Sequence, residues 1–301
     1  MKSIERCQEL RELVGRVGEA EAMRITGLKG ETLGRYCRIG SKPIEKGMGA
    51  PPKVLIFDIE TTPTLAYIWR YWKENISPGQ IVEDSVILCW AAKWLGSSGV
   101  MFNRSKNWRN DKELTASLAE LLGSADLVVA HNGKAFDIAR IWSQMAKYEI
   151  DPPAPFKVVD TCLLARSAFA FPHNSLDGLA RYLNLGGKTE HEGLPLWKKC
   201  MSNDEDAWAR MEEYNINDVL LLEKVYLRLR QYDKRHPNMS LYWDDDLLRC
   251  VCCGSTAVKM LPKSTFAQRR VYPAYRCKSC GKIMRSNIAE KRSKEGLVNV
   301  L

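Results

Sequence analysis

The sequence predicts a mixed α/β protein with a small helical region before it and a cysteine-rich module after it. Between residues 53 and 232, short apolar runs of strand length alternate with stretches whose apolar residues recur at helical spacing. Residues 4–17 show helical spacing alone, and the last five cysteines cluster near the end. The predicted parts are a helical region at 1–38, a linker at 39–52, an α/β domain at 53–240 and a final module at 245–301.

The composition, with 45% hydrophobic and 27% charged residues, is typical of a soluble globular protein. The first six residues lead into no apolar signal segment, and nowhere do about 18 apolar residues run together. We therefore expect a cytoplasmic protein without a membrane partner.

The net charge of +9 is unevenly distributed along the chain. Residues 53–249 hold 24 Lys/Arg and 27 Asp/Glu, whereas residues 250–301 hold 11 Lys/Arg and 2 Asp/Glu. A basic end on a mildly acidic body favours a polyanionic partner, and nucleic acid before a membrane surface. The alternative is a tail that only increases solubility.

The helical region has features of a helix-turn-helix. Gly27 would form the turn between two short helices, and Thr32, Arg35 and Arg38 would lie on the exposed face of the second helix. That helix could enter a major groove. A three-helix packing element without DNA contacts fits the pattern equally well.

The α/β domain is predicted to contain strands at 54–57, 86–94, 100–102, 126–130 and 156–160, and helices at 111–123, 138–148, 163–171, 176–185 and 204–232. Asp111 is a candidate N-cap of the first of these helices. Residues 186–203 hold Gly and Pro without periodicity, which predicts a loop.

Four aromatic residues follow the first strand closely: Tyr67, Trp69, Tyr71 and Trp72. Their default interpretation is core packing. The alternative is a surface on which unpaired bases stack beside the carboxylates described next.

Carboxylates and one tyrosine form the candidate site. Asp58 and Glu60 are two apart at the end of a strand, so their side chains share one face, although they could be solvated acids at a fraying end. Asp137 lies where a strand hands over to a helix, a common place for sites and also for an N-cap. Tyr214 and Asp218 are four apart on one helical face.

Convergence of Asp58, Glu60, Asp137 and Asp218 would be strongly repulsive without cations. Carboxylate oxygens select Mg²⁺ or Mn²⁺ over zinc. Two such ions about 4 Å apart suit in-line displacement at a phosphodiester. The carboxylates therefore indicate hydrolysis of a nucleic-acid backbone.

Three segments of the chain resemble the motifs of the DEDD superfamily of 3′-5′ exonucleases, over about residues 53–232. They are Phe57-Asp58-Ile59-Glu60-Thr61-Thr62-Pro63, Asn132-Gly133-Lys134-Ala135-Phe136-Asp137 and Tyr214-Asn215-Ile216-Asn217-Asp218. A tyrosine four residues before the last aspartate is similar to the DEDDy subclass, which includes the proofreading domains of family B DNA polymerases. In the DEDDh subclass a histidine takes that role, but His191 and His236 do not match its position.

The resemblance implies an RNase H-like fold and a role for each residue. Asp58, Glu60 and Asp218 would ligate the catalytic ion, and Asp58 and Asp137 would hold the second ion. Tyr214 would position the attacking water. The backbone at Thr61 would contact the terminal 3′-hydroxyl, and Asn132 and Phe136 are further candidate substrate contacts.

We therefore expect a metal-dependent 3′-5′ exonuclease acting on DNA, with single strands as the expected substrate. It would be free-standing or would serve a separate DNA polymerase or repair protein. An exoribonuclease remains an alternative, because the motifs do not distinguish the sugar. A non-catalytic nucleic-acid-binding protein is the alternative from another class.

Two knuckles near the end predict a second metal site. They are Cys250-Val251-Cys252-Cys253-Gly254 and Cys277-Lys278-Ser279-Cys280-Gly281, which resemble a zinc ribbon. Thiolates from Cys250, Cys253, Cys277 and Cys280 match one tetrahedral structural zinc ion, with disulfides as the alternative. Cys252 could replace a neighbour. Basic and tyrosine residues around the knuckles favour nucleic-acid binding, although a ribbon that docks a protein is the alternative.

Overall fold

The computed structural model describes residues 2–30, 33, 50–267 and 269–292. These fall into two compact units, one drawn from residues 1–50 and 242–245 and the other from residues 51–241 and 246–301. The α/β domain and the cysteine-rich module, predicted as separate parts, thus share one unit. No helix within the described ranges is long and apolar enough to cross a membrane.

The first unit contains α1 (Lys2–Val17) and α2 (Glu19–Thr26). Leu10, Ala22 and Leu33 are buried together. Gly27 ends α2 with a φ of 69°, a left-handed conformation that suits glycine, and its N–H donates to the Met23 carbonyl. The face predicted to read DNA, with Thr32, Arg35 and Arg38, lies outside the described residues, as does most of the predicted linker.

The strands of the second unit are β1 (Val54–Thr61), β2 (Leu65–Ala66), β3 (Ile81–Glu83), β4 (Ile87–Trp94), β5 (Met101–Arg104), β6 (Leu127–Ala130), β7 (Lys157–Asp160), β8 (Val258–Met260), β9 (Thr265–Ala267), β10 (Arg270–Tyr272), β11 (Ala274–Cys277), β12 (Ile283–Arg285) and β13 (Lys291–Arg292). Its helices are α3 (Lys112–Gly123), α4 (Asp137–Tyr148), α5 (Thr161–Ala168), α6 (Leu176–Tyr182), α7 (Leu194–Met201) and α8 (Glu205–Leu229).

A five-stranded sheet with the order β5-β4-β1-β6-β7 forms the centre of this unit. β1 pairs antiparallel with β4 and parallel with β6. Leu55, Phe57 and Ile59 of β1 pack with α3 and α4 in one buried cluster. Because side chains alternate along a strand, Asp58 and Glu60 face the other side, where α8 lies.

Two predictions of local structure are wrong. Residues 194–201 form α7 within the predicted loop, because Leu196 and Cys200, one turn apart, pack against β4 and α8. Trp69, Tyr71 and their aromatic neighbours are exposed rather than in the core, because the segment projects on strands of only two and three residues. That leaves the rings no sheet face to cover.

Two aspartates that precede helices have different roles. Asp111 occupies the N-cap position of α3, but its carboxylate accepts hydrogen bonds from Ile87 N (2.7 Å) and Tyr148 Oη (2.8 Å) instead of from the helix. Asp160 caps α5 through bonds from Cys162 N and Leu163 N, so this helix begins at Thr161, two residues earlier than predicted.

The cysteine-rich module consists of two small three-stranded sheets, β12-β11-β8 and β13-β10-β9. It lies against the end of α8 and the turn that follows. Val251 accepts a backbone hydrogen bond from Met239 N, and Lys282 Nζ donates to the Asp233 carbonyl. The module is therefore attached to the same helix that carries Tyr214 and Asp218.

Candidate active site

Three carboxylates converge at the end of β1. One oxygen each of Asp58, Glu60 and Asp218 lie within 4.8 Å of one another. The register of β1 against β4 shifts between Glu60 and Thr61, and such an irregularity re-aims the residues beside it. Because side chains two residues apart on a strand share one face, Asp58 and Glu60 both lie on the face of the sheet that α8 covers.

α8 supplies the partners of β1. Tyr214 and Asp218 are buried, one helical turn apart, on the side of α8 that faces the sheet. The Asp204 carboxylate begins the helix by accepting a hydrogen bond from Ala207 N (3.0 Å). The structure therefore brings together the sequence-predicted tyrosine, the last aspartate and the β1 pair.

Asp137 lies beside these three carboxylates. It is the first residue of α4, with Phe136 at the N-cap position, so the N-cap alternative is wrong. Its Oδ1 accepts a hydrogen bond from Ile59 N (3.2 Å) between the two β1 carboxylates. Only 2% of Asp137 is exposed, and its charge contributes to the raised pKa of Asp58.

Three further residues that sequence reasoning did not assign contact the site. Lys188 Nζ forms an ion pair with Asp218 and donates to Tyr214 Oη (3.1 Å). Asn215 Nδ2 donates to Asp58 Oδ2 (2.8 Å). The His191 ring lies edge-on to Tyr214, with centroids 4.7 Å apart.

Sequence patterns contain little signal for these three residues. Lys188 and His191 lie in the stretch after α6. The sequence there has no periodicity from which the direction of a side chain could be predicted. Asn215 could have been noticed only as a polar residue adjacent to Tyr214 on a helix expected to pack against the sheet.

Burial and mutual repulsion shift the acids in one direction. Burial, followed by the charges of Asp137, Glu60 and Asp218, raises the pKa of Asp58 well above its usual value. Burial also raises the pKa of Glu60 to about 8 and that of Asp137 to about 7. For Lys188, burial acts to lower the pKa, but the charge of Asp218 together with the contacts to Asp218 and Tyr214 outweighs burial, and the pKa is raised.

These residues fit a divalent cation. Asp218 Oδ1 is buried and has no hydrogen-bond partner among the described residues, which is costly for a carboxylate oxygen unless a cation binds it. The donors of the three-carboxylate group are all oxygens, the set that Mg²⁺ and Mn²⁺ prefer. The acidic cluster could therefore hold such a metal ion.

The candidate substrate contacts lie around the same strand ends. Thr61 ends β1, and Phe136, with 41% exposure, immediately precedes Asp137. Asn132 lies in the loop after β6 with a φ of 62°. Its N–H donates to Asp160 Oδ1 (3.0 Å), so the cap of α5 also fixes this loop.

Glycine is required next to Asn132. A Cβ atom on Gly133 would lie 2.2 Å from the Cβ of Ala130 and 3.4 Å from Asp137 Oδ2. Real Cβ atoms do not approach each other so closely, so a larger residue would displace the loop that leads into Asp137.

The cysteines form a second candidate metal centre. One Sγ each of Cys250, Cys253, Cys277 and Cys280 lie within 4.8 Å of one another, an arrangement that fits a zinc ribbon. Cys252 stands apart, because its buried thiol donates to the Arg230 carbonyl (3.8 Å). Cys252 therefore packs against the end of α8.

A comparison with protein-family models agrees with this fold. The family model of the RNase H superfamily matches residues 84–230. The chain is also similar in structure to the family B DNA polymerase from the hyperthermophilic archaeon Pyrobaculum calidifontis, with 17% identity and a TM-score of 0.45 over 62% of this chain. It spans 26% of that polymerase chain. Among curated proteins, none matches the sequence.

The central domain therefore has an RNase H-like fold, with a mixed sheet flanked by helices. An RNase H-like domain with an acidic cluster suggests a nuclease, a hydrolase that acts on nucleic acid with divalent metal ions.

Proposed function

We propose that this protein is a metal-dependent 3′-5′ exonuclease that removes nucleotides from single-stranded DNA. The observation that carries the proposal is the convergence of Asp58, Glu60 and Asp218 within 4.8 Å, with Asp137 hydrogen-bonded between the β1 pair. Four acids that converge here, of which Asp137 and Asp218 are buried and Asp58 and Glu60 half-buried, destabilise the fold unless they serve a cation. The resemblance of the three motifs to DEDDy exonucleases supports the direction of cleavage.

Each acid has a proposed role. Asp58, Glu60 and Asp218 would hold one divalent cation, and Asp58 and Asp137 would hold a second. Such cations would supply an activated water and stabilisation of the leaving oxygen in an in-line displacement. Asn215 fixes the orientation of Asp58 through its 2.8 Å hydrogen bond.

Tyr214 is proposed to position the attacking water. Its hydroxyl accepts a hydrogen bond from Lys188 Nζ at 3.1 Å, which leaves the phenolic proton free to be donated to the water. Burial raises the pKa of Tyr214, so this hydroxyl remains protonated at neutral pH. Lys188 also pairs with Asp218 and thereby links the tyrosine to a metal-binding carboxylate.

The remaining candidate contacts are proposed to hold the strand. The backbone at Thr61 would contact the terminal 3′-hydroxyl, with Asn132 and Phe136 near the last nucleotide. A cleft with a volume of about 360 Å³ beside this loop is lined by Lys134, Arg166 and Arg235 together with Asp160 and Asp233. The three cations outnumber the two acids, so the cleft suits phosphates.

The other two parts are proposed to assist binding. One zinc ion on the four cysteines would hold the module together, and its basic surface, which includes Arg270 and Arg276, would bind the phosphate backbone. The N-terminal helices would contribute a further DNA contact. A separate DNA polymerase or repair protein is the proposed partner.

A direct test offers single-stranded DNA and RNA, each labelled at the 5′ end, to the wild type and to Asp58→Ala with Mg²⁺ or Mn²⁺. We expect a one-nucleotide ladder on DNA that the substitution abolishes. A ladder on RNA alone would reassign the substrate to RNA, and a ladder that persists in Asp58→Ala would refute the assigned site.

A further inference from the structure

Four large aromatic side chains project from a segment that we name the aromatic hairpin, residues 62–86. Their exposed fractions are 78% for Tyr67, 90% for Trp69, 91% for Tyr71 and 84% for Trp72. One exposed ring would need no explanation, but four rings within six residues are an apolar patch of the kind that marks a binding surface.

Hydrogen bonds fix the backbone that carries these rings. β2 pairs with β3 at the base of the segment. Near its tip, the Glu74 carboxylate accepts hydrogen bonds from Trp69 N (3.0 Å), Arg70 N (2.6 Å) and Gln80 Nε2 (2.8 Å). The rings are thus held outward by an ordered turn, so little conformational entropy is lost when a ligand stacks on them.

The base of the hairpin is attached to the elements that carry the acids. Thr62 follows β1 directly and exchanges hydrogen bonds with Ser85 and Val86, among them Ser85 Oγ to the Thr62 carbonyl (2.6 Å). The Ser85 carbonyl also accepts hydrogen bonds from Arg140 and Gln144 of α4 (3.4 Å each). The aromatic hairpin therefore begins next to the end of β1, where Asp58, Glu60 and Asp137 lie.

We propose that the aromatic hairpin is a stacking platform for unpaired bases of a strand whose 3′ end lies at the acidic cluster. The inference rests on the proposed function and assigns the surface that binds its single-stranded substrate, because bases in a duplex do not offer their faces. Stacking of a base on an aromatic ring contributes about 1–3 kcal/mol per base and tolerates any sequence.

Charge favours nucleic acid as the occupant. Arg70 lies between the rings and Lys73 directly follows the last of them. Both are exposed and form no ion pair with other residues that the structure describes. They can pair with the phosphates that connect stacked bases. The nearest acid in the turn, Glu74, is half-buried and accepts hydrogen bonds from two backbone N–H groups, so the two exposed cations outnumber it at this end of the hairpin.

The test compares two double variants of the full chain, Trp69→Leu/Trp72→Leu and Trp69→Phe/Trp72→Phe. Leucine keeps apolar surface without a π-face, whereas phenylalanine keeps both. Binding of a short oligothymidylate and of an abasic strand of equal length is measured by fluorescence anisotropy in EDTA. We expect the leucine variant to lose about tenfold or more in affinity for oligothymidylate, and the phenylalanine variant to stay near the wild type.

Comparison with the abasic strand distinguishes affinity due to base stacking from affinity due to phosphate charge. The wild type should prefer oligothymidylate over the abasic strand, and the leucine variant should lose that preference. Equal binding of both strands by the wild type, or unchanged affinity in the leucine variant, would overturn the inference. A self-association by sedimentation that both tryptophan variants weaken equally would instead assign the patch to a second copy of the chain.

A small substrate distinguishes this inference from the proposed function. Thymidine 5′-(p-nitrophenyl phosphate) has a phosphodiester but no neighbouring bases, so all variants should hydrolyse it at the wild-type rate. Failure of the wild type to hydrolyse it with Mg²⁺ or Mn²⁺ would count against the nuclease while leaving the binding result intact. A slower rate in the leucine variant alone would show damage to the acidic cluster and refute a role confined to stacking.

Discussion

The orientation of the Asp58 carboxylate depends on Asn215, which is not a proposed metal ligand. Asn215 is fully buried and donates its 2.8 Å hydrogen bond to Oδ2, which leaves Oδ1 of Asp58 in a defined direction. Groups that orient a metal-binding carboxylate affect metal affinity nearly as much as the ligands do.

Replacement of Asn215 by alanine should therefore weaken Mn²⁺ binding by about 10- to 100-fold, measured by isothermal titration calorimetry. Asn103→Ala is the matched control, because it removes a half-buried amide that bonds to Ser117 Oγ (3.2 Å) and contacts no carboxylate. Equal Mn²⁺ affinity in Asn215→Ala and the wild type would contradict the assigned orientation.

Sequence periodicity predicts residues on regular elements but not those that reach the site from loops. The i, i+2 pair Asp58 and Glu60 and the i, i+4 pair Tyr214 and Asp218 share faces by geometry alone. Lys188 has no such constraint, because its position depends on how the chain between α6 and α7 folds over α8. Its backbone N–H donates to Asp177 Oδ1 (2.9 Å), a contact that spacing does not reveal.

At the scale of elements, α8 connects the two candidate metal centres. Its middle carries Tyr214 and Asp218, and its end contacts the cysteine-rich module through Cys252 and the Arg230 carbonyl. Metal binding by the module should therefore stabilise the end of this helix.

Two adjacent cysteines should behave differently when changed. Cys253→Ser should lose zinc, measured as metal content per chain, because Cys253 Sγ lies in the four-thiol group. Cys252→Ser should retain it. Loss of the module's packing, taken as about 2 kcal/mol, would lower Tm in Cys253→Ser by roughly 4–8 °C. Zinc loss in Cys252→Ser but not in Cys253→Ser would contradict the assignment.

Element boundaries were predictable where burial is continuous and were not where elements are short. β6 is wholly apolar and α8 is long, so their patterns are distinct, whereas β1 extends to Thr61, four residues beyond the predicted end of its apolar run. α7 has only Leu196 and Cys200 as its buried positions, too few to reveal a helical period. Aromatic content alone did not show that the hairpin rings face solvent, because burial depends on what packs above them.

At the scale of the whole molecule, the acidic cluster sets how stability depends on pH. Folding raises the pKa of Asp58 well above its unfolded value and that of Glu60 to about 8, so the folded state binds more protons than the unfolded state between about pH 4 and pH 8. Stability from these groups is therefore fully present at low pH and is lost as pH rises through that window.

In the metal-free protein, these acids should therefore contribute less to Tm at about pH 8.5 than at about pH 5.5. Added Mg²⁺ should raise Tm more at the higher pH. Differential scanning fluorimetry of the wild type and Glu60→Gln measures the effect, since the variant should show a shallower pH dependence. A larger Mg²⁺ effect at the lower pH would contradict the raised pKa values.

The most direct test of the metal-dependent site is Asp58→Asn, examined for both stability and hydrolysis. Without metal at about pH 8, the variant should melt at a higher temperature than the wild type, because it removes one repelled charge. With Mn²⁺ it should hydrolyse thymidine 5′-(p-nitrophenyl phosphate) at least about a hundredfold more slowly, since a shared metal ligand is lost. Hydrolysis that survives Asp58→Asn, or survives EDTA in the wild type, would contradict the account.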